Sequence, residues 1–259
     1  MKRLVLTACL PAVIAVGCVE IEPEEPTDED GEAIEAPEPG EPWLEIESIE
    51  PSDERLAPDS AVVVYFSDYV DDDTFRSYAF ANLTAGGLRT TGSADYRMVD
   101  RAVVWDPRGG LEEGFTYDFS IEAELQSASG SPFLGLDSTP RFVIDEEADA
   151  TSIPELPDAS WSQVESIFDE SCASCHADES RGLNPLTYDA LVGRPSEQVD
   201  RALVVPGDPA DSYLMHKLLD DYPDIRFTHQ PPPWDEDSDR LSDEQLRVIE
   251  GWIRRGAQR

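Results

Sequence analysis

Trp161-Ser162-Gln163-Val164-Glu165-Ser166-Ile167-Phe168-Asp169-Glu170-Ser171-Cys172-Ala173-Ser174-Cys175-His176 is the stretch on which the reading of this chain turns. Trp161, Val164, Ile167 and Phe168 recur at helical spacing behind Ser160, a suitable N-cap, so a helix is expected to run directly into two thiols and an imidazole. Cys-x-x-Cys-His is the attachment signature of a c-type haem. Cys172 and Cys175 can each add to one vinyl group of a haem lying across the turn, and His176 is then held beneath the iron as its proximal ligand. One covalent haem c per chain is the expectation. A thioredoxin-like redox pair would want a strand before it and a βαβ pattern around it, and a zinc site would want a second Cys or His pair at short spacing. The sequence offers neither.

Two more helices are legible downstream. Ser242-Asp243-Glu244-Gln245 is a capping box, followed by Leu246, Ile249, Trp252 and Ile253 on one face and Gly256 as a stop. Asp208-Pro209 can supply N-cap and N1 of a helix carrying Leu214, Met215, Leu218 and Leu219, with His216 expected at the surface. Together with Tyr188-Asp189-Ala190-Leu191-Val192-Gly193 and Pro206-Gly207-Asp208-Pro209, these pieces resemble the cytochrome c domain family over about 159–257. The resemblance implies helices at both ends of the segment crossing over a haem, with Phe168 and Trp252 as core. One departure concerns the iron's second ligand. Where that family places a Met-Pro pair, this chain reads Phe227-Thr228-His229-Gln230-Pro231-Pro232-Pro233-Trp234. His229 is therefore the candidate distal ligand, Met215 the alternative, and an open or other sixth site the third reading.

Residues 43–145 change character. Leu44 to Ile46, Ala61 to Phe66, Ala102 to Trp105, Tyr117 to Ile121 and Arg141 to Ile144 are short β-type runs, separated by turn signals such as Gly86-Gly87, Gly109-Gly110 and Ser129-Gly130. Ile49-Glu50-Pro51, Val62 to Val70, Leu111 to Tyr117 and Arg141-Phe142 resemble bacterial Ig-like domains, which implies a seven-strand-type sandwich without catalytic residues. Asp71-Asp72-Asp73 is read as a solvated turn rather than a calcium loop. Asp235, Asp237, Asp239 and Asp243 have EF-hand-like spacing, but Arg240 and Leu246 stand where Gly and Glu are needed.

The chain begins Met1-Lys2-Arg3, runs apolar from Leu4 to Val16 and reaches Ala15-Val16-Gly17-Cys18, which reads as an export signal and resembles the lipobox of bacterial lipoproteins. Residues 19–42 are acidic and Pro-rich with no Lys or Arg, a composition that cannot bury enough surface to fold and reads as a stalk. The organisation expected is a signal peptide over 1–17, a lipid-anchored acidic linker over 18–42, a sandwich over 43–145, a polar linker over 146–157 and a cytochrome c domain over 158–259. The fold class expected is multidomain: an N-terminal all-β Ig-like sandwich plus a C-terminal all-α cytochrome c domain.

The formal charge is −37, and acidic residues exceed basic ones by 20 to 7 over 43–145 and by 21 to 10 over 158–259. No Lys/Arg stripe exists to neutralise phosphates, which excludes nucleic acid as a partner and disfavours docking on anionic lipid other than through an anchor. The expected function is a monohaem c-type cytochrome of the cell envelope, on the periplasmic side or outer membrane. It would transfer single electrons with a redox protein partner, a basic one being compatible, and would not be an enzyme. Two other classes stay open: an Ig-like adhesion or assembly lipoprotein with an accessory haem, and a haem enzyme or gas sensor with an open sixth site. If Cys18 carries lipid, Cys18→Ser moves the protein from the membrane to the soluble fraction, and unchanged fractionation refutes the anchor.

Overall fold

The β-branched and aromatic runs of 43–145 become strands, because such side chains pack well on a pleated surface. The computed structural model of the chain describes residues 43–77, 80–121, 125–176, 185–223, 225, 229–230 and 240–259. The expected signal peptide, Cys18, the acidic linker and Asp235, Asp237 and Asp239 lie outside the described residues. In chain order the β-rich part comprises β1 (Ile46–Glu50), β2 (Arg55–Leu56), β3 (Val62–Phe66), α1 (Asp72–Ser77), β4 (Ala81–Ala85), β5 (Leu88–Arg97), β6 (Ala102–Pro107), β7 (Thr116–Ile121) and β8 (Arg141–Ile144). The eight strands form one sheet in the order β1-β3-β6-β5-β4-β7-β8-β2.

That sheet curls over on β5. Its first residues, Leu88 to Thr91, pair with β4, whereas Gly92 to Arg97 pair with β6. Gly92 is the corner: a Cβ there would lie 2.3 Å from the Trp105 ring, so only glycine lets the strand cross so close. Curling sets the two halves face to face, with Trp105 of β6 edge-on to Phe119 of β7 at 5.9 Å. Val62, Val64 and Phe66 point into this main core, while Ala61 and Val63 join Ala102 and Val104 in a second, smaller cluster on the opposite face. β3 and β6 are thus buried on both sides. Gly86 and Gly87, both at positive φ, close the two-residue β4–β5 hairpin in which Ala85 faces Leu88. Asp71, read as a solvated turn, opens α1: its carboxylate accepts from Asp73 N at 3.0 Å and its carbonyl from Phe75 N.

The C-terminal part contains α2 (Trp161–Ser171), α3 (Ala173–His176), α4 (Tyr188–Leu191), α5 (Tyr213–Leu218) and α6 (Asp243–Arg254). This corrects the expected fold class. The β-part is an eight-stranded curled sheet with a parallel β2–β8 pair rather than a seven-strand Ig-like sandwich, and the described residues show no all-α domain beside it. Among the described residues only α2 and α6 exceed six residues. Between α4 and α5 the chain makes isolated β-bridges, Val192 to Val204 and Pro195 to Ala202, because Pro195, Pro206 and Pro209 cannot continue a helix. Asp208-Pro209 does not start α5 as expected. Those residues form a turn in which Ser212 donates to the Asp208 carbonyl at 2.7 Å, and Ser212 becomes the N-cap. Both capping boxes do form, Gln163 accepting from Ser160 N and Gln245 from Ser242 N at 2.9 Å each.

Residues of both parts share the main core. Segment 146–157 is held at its middle and at its end: Thr151 N donates to Ser60 Oγ at 2.8 Å, and the Pro157 carbonyl approaches Gly251 of α6 so closely that a Cβ would lie 2.4 Å away. The strongest tie is Glu250 of α6, which is 0% exposed. Its carboxylate accepts from Met98 N at 3.0 Å and from Val99 N at 3.3 Å in the β5–β6 turn, and lies 3.6 Å from the Arg254 guanidinium. Arg254 also pairs with Asp95, and Arg247 grips Asp100 with Nε 3.1 Å from Oδ1. Removing one partner of a buried charged set leaves the others unpaired, so Glu250→Ala should cost about 3–5 kcal/mol in denaturant unfolding. Arg255→Ala, which removes only an exposed pair with Asp158, should cost under about 1 kcal/mol.

Candidate functional site

The helical periodicity of 161–168 delivers the Cys-x-x-Cys-His turn to the end of α2. Trp161, Val164, Ile167 and Phe168 are buried against the core, and Cys172 N still donates to the Phe168 carbonyl at 2.8 Å. The chain then tightens through α3, with Cys175 N and His176 N both donating to the Cys172 carbonyl, at 3.1 and 2.9 Å. Two thiols and an imidazole therefore share a single turn.

Both cysteines are thiols, each half-buried. Cys172 rests against the main core, and burial, reinforced by the neighbouring Cys175 sulfur, pushes its thiol up to about 11. Ser174 Oγ lies 3.8 Å from Cys175 Sγ. A thiol raised in this way is a poor thiolate, the opposite of what thiol–disulfide exchange requires.

Aromatic rings gather around the start of α2. Trp161 lies 5.3 Å from Trp252 of α6 and 5.6 Å from Tyr188 of α4, and Phe168 lies 6.1 Å from Trp161. The Arg259 guanidinium covers Tyr188 at 4.8 Å, and Trp252 Nε1 donates to the Gln258 carbonyl at 2.8 Å. Phe168 and Trp252 are core residues.

The two candidate distal ligands lie elsewhere in the sequence and in different settings. Met215 is fully buried within α5. His229 is half-buried, its Nε2 3.0 Å from the Tyr222 carbonyl. Among the described residues no three His, Cys, Asp or Glu side chains gather as a group able to hold a metal ion. No helix among the described residues is long and apolar enough to cross a membrane.

His216 departs from expectation. It is buried, not superficial: its ring stacks on Tyr222 at 4.1 Å and 16°, and Nε2 lies 2.7 Å from the Ala210 carbonyl. A carbonyl only accepts, so Nε2 carries the proton. Sequence spacing missed this residue because Tyr222, the ring that covers it, lies beyond the helix. Tyr222 in turn packs on Tyr69 at 5.1 Å, and Tyr69 Oη donates to the Asp220 carbonyl at 2.9 Å, a second tie between the two parts of the molecule.

No protein-family model and no curated protein matches the chain. Solved structures with some likeness include the bacterial S-layer protein SbsC, with a TM-score of 0.31 and 19% identity over 46% of this chain. Another is L,D-transpeptidase 3 from Mycobacterium tuberculosis, with a TM-score of 0.27 and 19% identity over 38% of this chain. The chain spans 16% of the first and 36% of the second. Scores this low assign neither a fold nor an activity.

These findings correct the family and function expected from sequence. No cytochrome c or Ig-like family is found, the chain is mainly β, and no metal-holding cluster appears among the described residues. A monohaem electron carrier is not what this fold supports, nor are the adhesion, enzyme and sensor variants built on the same domains. The capping boxes at Ser160 and Ser242 form, but the intervening sequence builds turns and bridges in place of the helices that such a domain requires.

Burial lowers the His216 imidazole from 6.5 to about 4. The unfolded chain binds this proton below pH 6.5 and the folded chain only below about 4, so stability contributed by neutral His216 is present at pH 7 and lost as pH falls through that window. Acidification from pH 7 to 4 should remove on the order of 3 kcal/mol through this one residue. In His216→Gln that part of the pH dependence of urea unfolding should vanish; an unchanged profile refutes the assignment.

Proposed function

We propose that Cys172 and Cys175 are the covalent attachment site for one haem c, with His176 set to ligate its iron, on an exported protein of the cell envelope. The observation that carries this reading is the donor set itself: two thiols and an imidazole on one helical turn, each half-buried, with Cys172 resting against the core. Each attachment adds S–H across a vinyl double bond, sulfur to one carbon and hydrogen to the other, so no oxidant and no leaving group are needed. The raised Cys172 thiol weighs against the rival use of the pair in disulfide exchange.

His229, with a nitrogen, and Met215, with a thioether, are the residues that would compete to supply a further ligand to the iron. The envelope assignment rests on the leader-like N-terminus, and Cys18 would supply the lipid anchor with the acidic segment 19–42 as its tether. The strong negative charge argues for a soluble, nucleic-acid-free role outside the membrane.

A pyridine-haemochrome spectrum of the mature chain tests the proposal. The protein should retain haem through acid-acetone extraction, and the Cys172→Ala/Cys175→Ala double variant should release whatever it binds. A wild-type chain exported beside a competent haem-attachment system that carries no haem overturns it.

A further inference from the structure

The turn that follows α5 is held from both parts of the molecule. Asp221 sits there at φ 58°, a left-handed backbone that a residue with a side chain adopts only where its surroundings fix it. The fixing contacts are specific. Tyr69 Oη donates to the Asp220 carbonyl at 2.9 Å, and the buried Tyr222 ring packs on Tyr69 at 5.1 Å and stacks with His216 at 4.1 Å. Tyr222 therefore offers a backbone carbonyl whose position is set by two rings, Tyr69 from the β-rich part and His216 from α5.

His229 uses that carbonyl. Its Nε2 lies 3.0 Å from the Tyr222 oxygen, and the next residue is tied as well, Gln230 N donating to the Lys217 carbonyl at 2.6 Å. A carbonyl oxygen only accepts, so Nε2 carries the ring proton and the lone pair of the neutral imidazole is on Nδ1. A metal binds only such a lone pair. Ligating histidines donate their other ring N–H to a carbonyl or carboxylate, which fixes both the tautomer and the orientation of the ring. His229 has that arrangement in its own fold, whereas Met215 is fully buried and fills the main core.

We propose that Tyr222 is the positioning residue of His229, and that Nδ1 is the atom through which His229 ligates iron. The part concerning iron rests on the haem reading above; the tautomer belongs to the chain itself, with or without haem. Tyr222 touches no reacting atom and acts through the imidazole.

The first test is nitrogen NMR of the haem-free full chain carrying isotope-labelled histidine, near neutral pH, where long-range nitrogen–proton correlations separate a protonated ring nitrogen from a bare one. Loss of one ring's signals in His229→Gln assigns them among the three histidines. His229 should show Nε2 protonated and Nδ1 bare. Tyr222→Phe keeps the ring and should keep that pattern, whereas Tyr222→Ala should move the two nitrogens toward a common averaged value. Tyr69→Phe removes only the hydroxyl bond to Asp220; it should move them the same way by less, and it serves if Tyr222→Ala does not fold. A proton on Nδ1, averaged nitrogens in the wild type, or a pattern unaltered in both Tyr222→Ala and Tyr69→Phe overturns the proposal. The second test uses the haem-loaded chain with a methylated histidine at position 229. A methyl on Nδ1 blocks the ligand atom and should abolish the low-spin absorption spectrum, while a methyl on Nε2 leaves Nδ1 bare and should retain it. The reverse, or no difference between the two, removes Nδ1 as the ligand. If no haem attaches, the haem reading fails while the nitrogen spectra still decide the tautomer.

Discussion

A carboxylate with no exposed surface has to be surrounded by donors, and in this chain that requirement joins two regions that read from sequence as separate. Glu250 lies on the last helix, yet its oxygens satisfy two amides about 150 residues earlier, in the turn between β5 and β6. Arg254 completes the set and is itself shared with Asp95, while Arg247 and Asp100 add a partly buried pair beside it. Burial raises the Glu250 carboxyl above its ordinary range, with Arg254, the Met98 and Val99 amides and Arg97 opposing. Between the ordinary and raised values the folded chain binds a proton that the unfolded chain has lost, so this residue's contribution declines as pH rises through that window. His216 has the opposite slope, and the two buried groups partly offset one another over mildly acidic pH.

From that tie the rest of the arrangement follows. α6 can pack on α2 only where the β5–β6 turn holds it, and α2 places the Cys172–His176 turn at the edge of the shared core. The aromatic group of Trp161, Phe168, Tyr188 and Trp252 fills the space between the helices, and Gly251 lets the Pro157 backbone close the remaining gap. A site on a short irregular segment thereby gains a rigid backing that its own few helical turns could not supply.

Much of the local structure was legible. The runs at 62–66, 102–105, 117–121 and 141–144 became strands, and the capping boxes at Ser160 and Ser242 became helix starts, because β-branching and capping act within a few residues. What was missed depends on distant partners. β5, Leu-Arg-Thr-Thr-Gly-Ser-Ala-Asp-Tyr-Arg, has no apolar alternation and is a strand only because β4 and β6 flank it. β2 is two residues long and exists by pairing with β8. Glu250 carried no signal of its own in the sequence, and His216 was expected at the surface; each is buried against a residue far away or beyond its own helix. The domain inferred around the Cys-x-x-Cys-His turn was not what the chain builds, since five residues do not specify the hundred that surround them.

The account stands on the sheet and the C-terminal helices being a single cooperative unit. Hydrogen exchange of the full chain in graded denaturant, followed segment by segment, tests this most directly. Amides of β3 and β6 and those of α2 and α6 should lose protection together, at one denaturant concentration. Loss of protection in α2 and α6 well before the strands would contradict it, and would mean that the Glu250 contacts join two domains that unfold independently.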